Sequence, residues 1–227
     1  MNEYIELENL IYKEKKYDEA VEQIKSSAFC ADNNYKKLLA DALFCKDDFA
    51  AASRIYNETG EFYQAGYCYF LLNQIDLAIE FFIKAEESPA RNWNLFFAET
   101  FRARVNVKPT YLQIRAFLER DMNLFLRLDL VAYVQQIIDI SDYLFSINPE
   151  TNKFIARAFL NNNYPDYAKE YLDRAFDFTT KDAELYYLLA KYYKTQGRTD
   201  KVKENLKEAL RLSDNYVPAK LMLEEIN

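Results

Sequence analysis

Thirty-six Asp and Glu side chains are the main groups that could run acid–base chemistry here, because the 227 residues contain no histidine. Without imidazole there is no Ser–His–Asp or Cys–His nucleophile system, no histidine general base and no imidazole metal ligand. A carboxylate pair of the glycosidase kind stays formally open. Lys and Glu recurring on helix exteriors, however, read as a solvated face, and no nucleophile, base and orienter come together. Three glycines, Gly60, Gly66 and Gly197, are too few and too scattered for a P-loop or a dinucleotide fingerprint. Cys30, Cys45 and Cys68 match no zinc or redox spacing and lie in apolar stretches expected to be helical, where a free thiol acts as a small hydrophobe. The expectation is a chain that is not an enzyme and takes no cofactor and no metal.

Two groups of residues have the character of binding surfaces. Tyr63, Tyr67 and Phe70, with Lys37, Asp41 and Phe44 beside them, would present amphipathic rings suited to a peptide or an amphipathic helix. The alternative is that rings at helical spacing face the interior, as most do. Arg102, Arg104, Lys108 and Arg115 flank a proline-bearing loop next to Phe96, Phe97 and Phe101. Arginine's planar fork suits carboxylates or phosphates, so this segment could receive an acidic tail. Alternatively these arginines pair with acidic neighbours on adjacent hairpins, contacts of little energetic worth.

Charge and composition narrow the partners. Residues 89–128 set seven Lys and Arg against three Asp and Glu, a local +4 that leaves −11 for the rest of a chain of net charge −7. That balance disfavours nucleic acid. Half the residues are hydrophobic, too many for a disordered chain. The scarcity of glycine and proline suits long helices with brief connections rather than sandwiches or barrels. No apolar run approaches the ~20 residues of a membrane span, and the N-terminal MNEYIELENLIYKEKKY lacks the pattern of a signal peptide. With an odd cysteine count this points to a cytoplasmic protein that uses no membrane and no small-molecule substrate.

The elements that must position these residues show a repeat. Units 149–182 and 183–216 follow one another without a gap, Ala156 aligning with Ala190, Phe159 with Tyr193, Leu172 with Leu206 and Ala175 with Ala209. A period near 34 with small residues at fixed places marks stacked helical hairpins. Leu185, Leu188, Leu189, Tyr192 and Tyr193 follow helical spacing before Gly197, and Val202, Leu206, Ala209 and Leu210 follow it after. The same code, through Ala20, Ala52 and Ala78, predicts hairpins at about 2–28, 33–58 and 61–87. Between the two runs the pattern predicts an unpaired helix from 89 to about 105, then helices over 110–127 and 130–146 with Asp129 capping the second. About 14 helices result.

These residues resemble the tetratricopeptide repeat family. The resemblance implies an all-α, right-handed α-solenoid of stacked antiparallel hairpins: N-terminal hairpins in 1–87, degenerate Arg-rich central helices in 88–148, two consensus-like units in 149–216 and a capping helix in 217–227. It assigns close helix approach to Ala156, Ala168 and Ala175, to Ala190, Val202 and Ala209, and to Gly66, Ala78 and Ala85. First helices in the family line a concave groove, which here would place Tyr63, Tyr67, Phe70, Lys37 and Phe44 on a peptide-binding wall. The carboxylate clamp of chaperone-binding repeats finds no match: Ile5, Asn9, Leu38, Gly60 and Gln64 occupy its places at one end, and Lys153, Arg157, Leu188, Pro218 and Met222 at the other. The function implied is a non-catalytic interaction scaffold for a protein or peptide. A dedicated chaperone shielding an apolar segment is the alternative, ahead of a carboxylate-dependent enzyme.

Overall fold

The computed structural model describes residues 2–226, and among them all regular structure is helical. The chain divides into two compact units, Met1–Pro109 and Thr110–Asn227. The first holds α1 (Asn2–Tyr12), α2 (Tyr17–Ser26), α3 (Asn33–Cys45), α4 (Phe49–Thr59), α5 (Phe62–Leu71), α6 (Ile75–Lys84) and α7 (Pro89–Thr100). The second holds α8 (Tyr111–Arg127), α9 (Val131–Asp139), α10 (Ser141–Ile147), α11 (Thr151–Asn161), α12 (Pro165–Phe178), α13 (Ala183–Thr195), α14 (Thr199–Leu212) and α15 (Val217–Glu225).

One turn builds most of this architecture. Lys15, Asp47 and Asn73 in the first unit, and Asp129, Asn163 and Gly197 in the second, adopt a left-handed backbone two residues before a new helix starts. The next amide then closes back on the preceding helix: Asp48 to the Leu43 carbonyl at 3.0 Å, Gln74 to Tyr69 at 2.9 Å, Leu130 to Phe125 at 2.8 Å, Tyr164 to Phe159 at 2.9 Å, Arg198 to Tyr193 at 3.0 Å. These bonds satisfy carbonyls that a helix C-terminus leaves open. The turn folds α1 on α2, α3 on α4, α5 on α6, α8 on α9, α11 on α12 and α13 on α14, leaving α7, α10 and α15 unpaired.

Small residues let the paired helices approach. Ala20, Ala52, Ala78, Ala156, Ala168, Ala175, Ala190, Val202 and Ala209 are all buried. A Cβ on Gly66 would stand 2.9 Å from Cδ1 of Phe82 and 3.1 Å from Cβ of Phe81, so only hydrogen fits between α5 and α6 there. Rings and aliphatics close the remaining space: Phe70, Phe82, Trp93 and Phe97 in the first unit, Leu118, Phe125, Tyr133, Phe159 and Leu172 in the second. Each such side chain contributes roughly 1.5–3 kcal/mol of burial. At the C-terminal end α15 buries Ala219 and Met222 against Ala190, Val202 and Leu206, and turns Lys220, Glu224 and Glu225 to water.

Several expectations need correction. Fifteen helices are present among the described residues rather than 14, because the stretch 130–146 breaks at Ile140. The break brings buried Ser141 to the Tyr171 hydroxyl. Asp129 does not cap α9; it is the left-handed turn residue, and Leu130 holds the cap position. Helix α7 stops at Thr100, short of 105, because the buried Glu99 carboxylate accepts from the Asn106 amide at 2.7 Å and the Val107 amide at 3.3 Å and draws the chain into a loop. Ala85 lies beyond the end of α6 with an extended backbone and is only half-buried. Cys30 is exposed in the α2–α3 connection, outside any helix.

Candidate functional site

Helix periodicity puts Lys37, Asp41 and Phe44 on one face of α3, and Tyr63 and Tyr67 on one face of α5. The α3–α4 hairpin packs on α5 and aligns these faces. Phe44 stacks on Tyr67 with ring centres 6.1 Å apart, and Tyr67 on Tyr63 at 6.4 Å with the planes 12° apart. All three rings are half-buried, each with surface left for a ligand. The ladder is anchored at both ends. Phe44 meets Phe49 of α4 edge-on at 5.3 Å, and the Tyr63 hydroxyl accepts a 2.9 Å hydrogen bond from Asn94 Nδ2 of α7. Asn94 is fully buried, and its Oδ1 has no hydrogen-bond partner among the described residues.

Polar groups border the rings. Lys37 is ion-paired with Glu61, a contact that raises its pKa. Asp41 accepts hydrogen bonds from the hydroxyls of Tyr12 on α1 and Tyr56 on α4, the latter at 2.5 Å. Burial first, and the Asp41 charge second, raise the pKa of both phenols, so they remain donors. Beneath them the Cys68 thiol is pushed up to about 12 by burial and by Asp41, which leaves it protonated.

The other predicted residues fare differently. Phe70 is fully buried, packed edge-on against Phe97 at 5.7 Å and Phe101 at 6.1 Å, and so offers a partner no surface. Its position one turn from Tyr67 rotates it toward α6 and α7. Arg102 forms a bidentate pair with Asp76 at 2.8 and 3.0 Å, Arg104 is exposed in the loop after α7, and Arg115 is exposed on α8 of the second unit. Phe96 and Phe97, next to them in the sequence, are core. The structure therefore brings Phe44, Tyr63 and Tyr67 into ring contact and does not bring the arginines together within either unit.

Sequence reasoning missed Tyr12, Tyr56 and Asn94, which reach the site from α1, α4 and α7. It also missed a charged face in the second unit, where Lys153 and Arg157 stood out only as poor clamp residues. Lys153 meets Glu150 at 3.0 Å, Asp182 at 2.8 Å and Glu184 at 2.9 Å, and Arg157 pairs with Glu184. Arg157 Nε lies 3.0 Å from Glu119 without its N–H aimed there, so that contact is Coulombic. Burial raises the Glu119 pKa against the pull of Arg157, and burial together with Arg157 lowers that of Lys191. Acids and bases compensate one another across this face. An apolar pocket of about 200 Å³ also opens in the second unit, lined by Phe125, Leu130, Val134, Phe159, Tyr164 and Tyr167. Among the described residues no group of three or more acidic or thiol side chains is placed to hold a metal, and no helix is long and apolar enough to cross a membrane.

The hairpins carrying Tyr63 and Tyr67 and those at the C-terminal end share more than geometry. Residues 62–92, which span α5, α6 and the first turn of α7, and residues 183–216, which span α13 and α14, match the model of the tetratricopeptide repeat. The chain carries tetratricopeptide repeats. Unit 149–182 shows the same turn and the same small buried residues as the tetratricopeptide repeat that follows it. No curated protein matches the sequence significantly. Similar solved structures include YrrB, described as a TPR protein with an unusual peptide-binding site (16% identity, 92% of this chain and 97% of that one, TM-score 0.38). Others are a tetratricopeptide repeat protein from Parabacteroides merdae (14%, 100% and 99%, 0.43) and the TPR2AB domain of yeast Sti1 in complex with pHSP90 (16%, 99% and 94%, 0.39).

Proposed function

We propose that this chain is a non-catalytic interaction scaffold whose first unit binds a peptide or helix of a partner protein across α3 and α5. The observation that carries the reading is the half-exposed stack Phe44–Tyr67–Tyr63, fixed at both ends by contacts that do not use up its outer surface. Rings held rigid in advance lose little entropy when a partner arrives, which makes them strong anchors. The second unit's charged face, already compensated internally, supports no comparable reading. Three free thiols, two of them exposed, fit a reducing compartment such as the cytoplasm.

The test compares wild type with Tyr63→Ala and Tyr67→Ala in a pull-down from native cytosol, followed by calorimetry with the partner recovered. Each substitution should weaken binding by about tenfold and leave the circular dichroism spectrum unchanged. Equal affinity in all three proteins would refute the groove. The apolar pocket beside Tyr164 and Tyr167 favours a second reading, a chaperone that shields an apolar segment. In that case the recovered partner should aggregate without this chain and stay soluble with it.

A further inference from the structure

Asp41 stands out in the first unit because, half-buried beside the aromatic ladder, it is held by phenols and by no ion pair. It is half-buried, and its hydrogen bonds come from two neutral phenols, Tyr12 and Tyr56. Among the described residues no Lys or Arg is ion-paired with it; Lys37, one turn away on the same face, feels its charge but is bonded to Glu61. A carboxylate in such a place retains a strong field, felt here by Tyr4, Cys45 and Cys68 as well. Phenol donors stabilise the charge without neutralising it, so a cation arriving there gains a Coulomb attraction in partly desolvated surroundings that Lys37, held by Glu61, only partly offsets.

The surroundings suit one kind of cation. Phe44 is a turn away on α3 and stacks on Tyr67, while the exposed ring of Tyr12, at the end of α1, reaches Asp41 through its hydroxyl. Ring faces attract cations and also cover the methylene stem of a long side chain. Residues 1–109 carry 13 Lys and Arg against 18 Asp and Glu, a net −5 that draws a basic segment and repels an acidic one. We infer that the partner segment is basic, and that one of its Lys or Arg side chains lies along Phe44 and Tyr67 with its head group on Asp41. This rests on the groove proposed above and adds the chemistry of its occupant.

The test is fluorescence anisotropy of short amphipathic peptides on the full chain, identical except for Lys, Gln or Glu at the central polar positions. The Lys peptide should bind about tenfold tighter than the Gln peptide, lose that advantage as salt rises, and bind far better than the Glu peptide. Asp41→Asn should abolish the Lys preference, while Glu22→Gln, the same charge change on the exposed face of α2, should keep it. Tyr12→Phe, which removes one phenol donor and leaves the ring, should preserve or enlarge it, and so decides the matter should Asp41→Asn fail to fold. Lys and Gln peptides that bind equally well, yet are both lost with Tyr67→Ala, would overturn the cation site and leave the groove standing. Binding indifferent to both Asp41→Asn and Tyr67→Ala would overturn the two together.

Discussion

Lys153 is 6% exposed and faces three carboxylates, the most demanding electrostatic arrangement in the second unit. Burial alone would lower its pKa, but hydrogen bonds to Asp182, Glu184 and Glu150 outweigh that and raise it. For Glu150, burial pushes upward, and Lys153, the Tyr111 hydroxyl and Arg115 together bring the pKa below its usual value. The stability that Glu150 contributes is therefore present above the ordinary carboxylate pKa of about 4.3 and fades as pH falls through its lowered folded value. Lys153→Met removes the cation shared by three acids, of which Glu184 keeps its pair with Arg157, at a cost of about 3–5 kcal/mol near neutrality. Without that cation the upward push of burial on Glu150 loses its main opponent, and the stability this group lent above the carboxylate range shrinks. Thermal midpoints should show the variant recovering part of its loss between pH 7 and pH 5. A variant as stable as wild type at pH 7, or one that weakens further toward pH 5, would contradict the assignment.

At the level of helices, the α5–α6 contact at Gly66 is the tightest test of repeat packing. Gly66→Val would gain helix propensity of under about 1 kcal/mol. It would also drive a branched side chain into Phe82, which is fully buried, and into Phe81. Overpacking of this kind costs about 1–3 kcal/mol, so the urea midpoint should fall; an unchanged midpoint would mean that α5 and α6 stand further apart. The small residues behind such contacts were readable from the sequence because a 34-residue period repeats them. The helices of the α8–α9 hairpin were readable too, but its turn was not, since Asp129 has the type of a helix cap, and among the six hairpin turns only Gly197 announces its backbone by type. Asn, Asp and even Lys15 adopt that backbone when the bond closing the turn repays the strain. The candidate site divides in the same way. Tyr63, Tyr67, Lys37 and Phe44 follow from spacing along two helices, whereas Tyr12, Tyr56 and Asn94 come from three others whose rotation no spacing reveals. Phe70 shared the spacing and was lost to the core, because a stripe wide enough to span a helix face has one edge in water and the other under a neighbour.

For the molecule as a whole, the boundary between the two units falls at the end of the non-helical stretch 101–110. The amides of Arg102, Ala103 and Arg104 bond back to Glu99 and Thr100, and side chains add Asp76 on Arg102, Glu99 on Asn106 and Val107, and the box of Thr110 with Gln113. Between these anchors Ala103 takes a left-handed backbone, and Arg104 and Val105 are exposed. Exposed loops with few backbone hydrogen bonds open at little free-energy cost and are where proteases act first. The hairpin turns at Lys15 and Lys16, though exposed and basic, close by a shorter bond, Lys16 to the Leu10 carbonyl at 2.8 Å against 3.3 Å from Arg104 to Glu99. Lys108 precedes proline, a bond trypsin does not cut. Brief trypsin treatment should therefore sever the chain first after Arg104, and mass spectrometry should recover fragments 1–104 and 105–227. Each keeps hairpins that lend one another their apolar faces, so both fragments should persist longer than the intact chain takes to disappear. First cuts at Lys16 or Lys181 instead would place the weakest backbone inside a unit and show that the repeats on either side of Arg104 share one core.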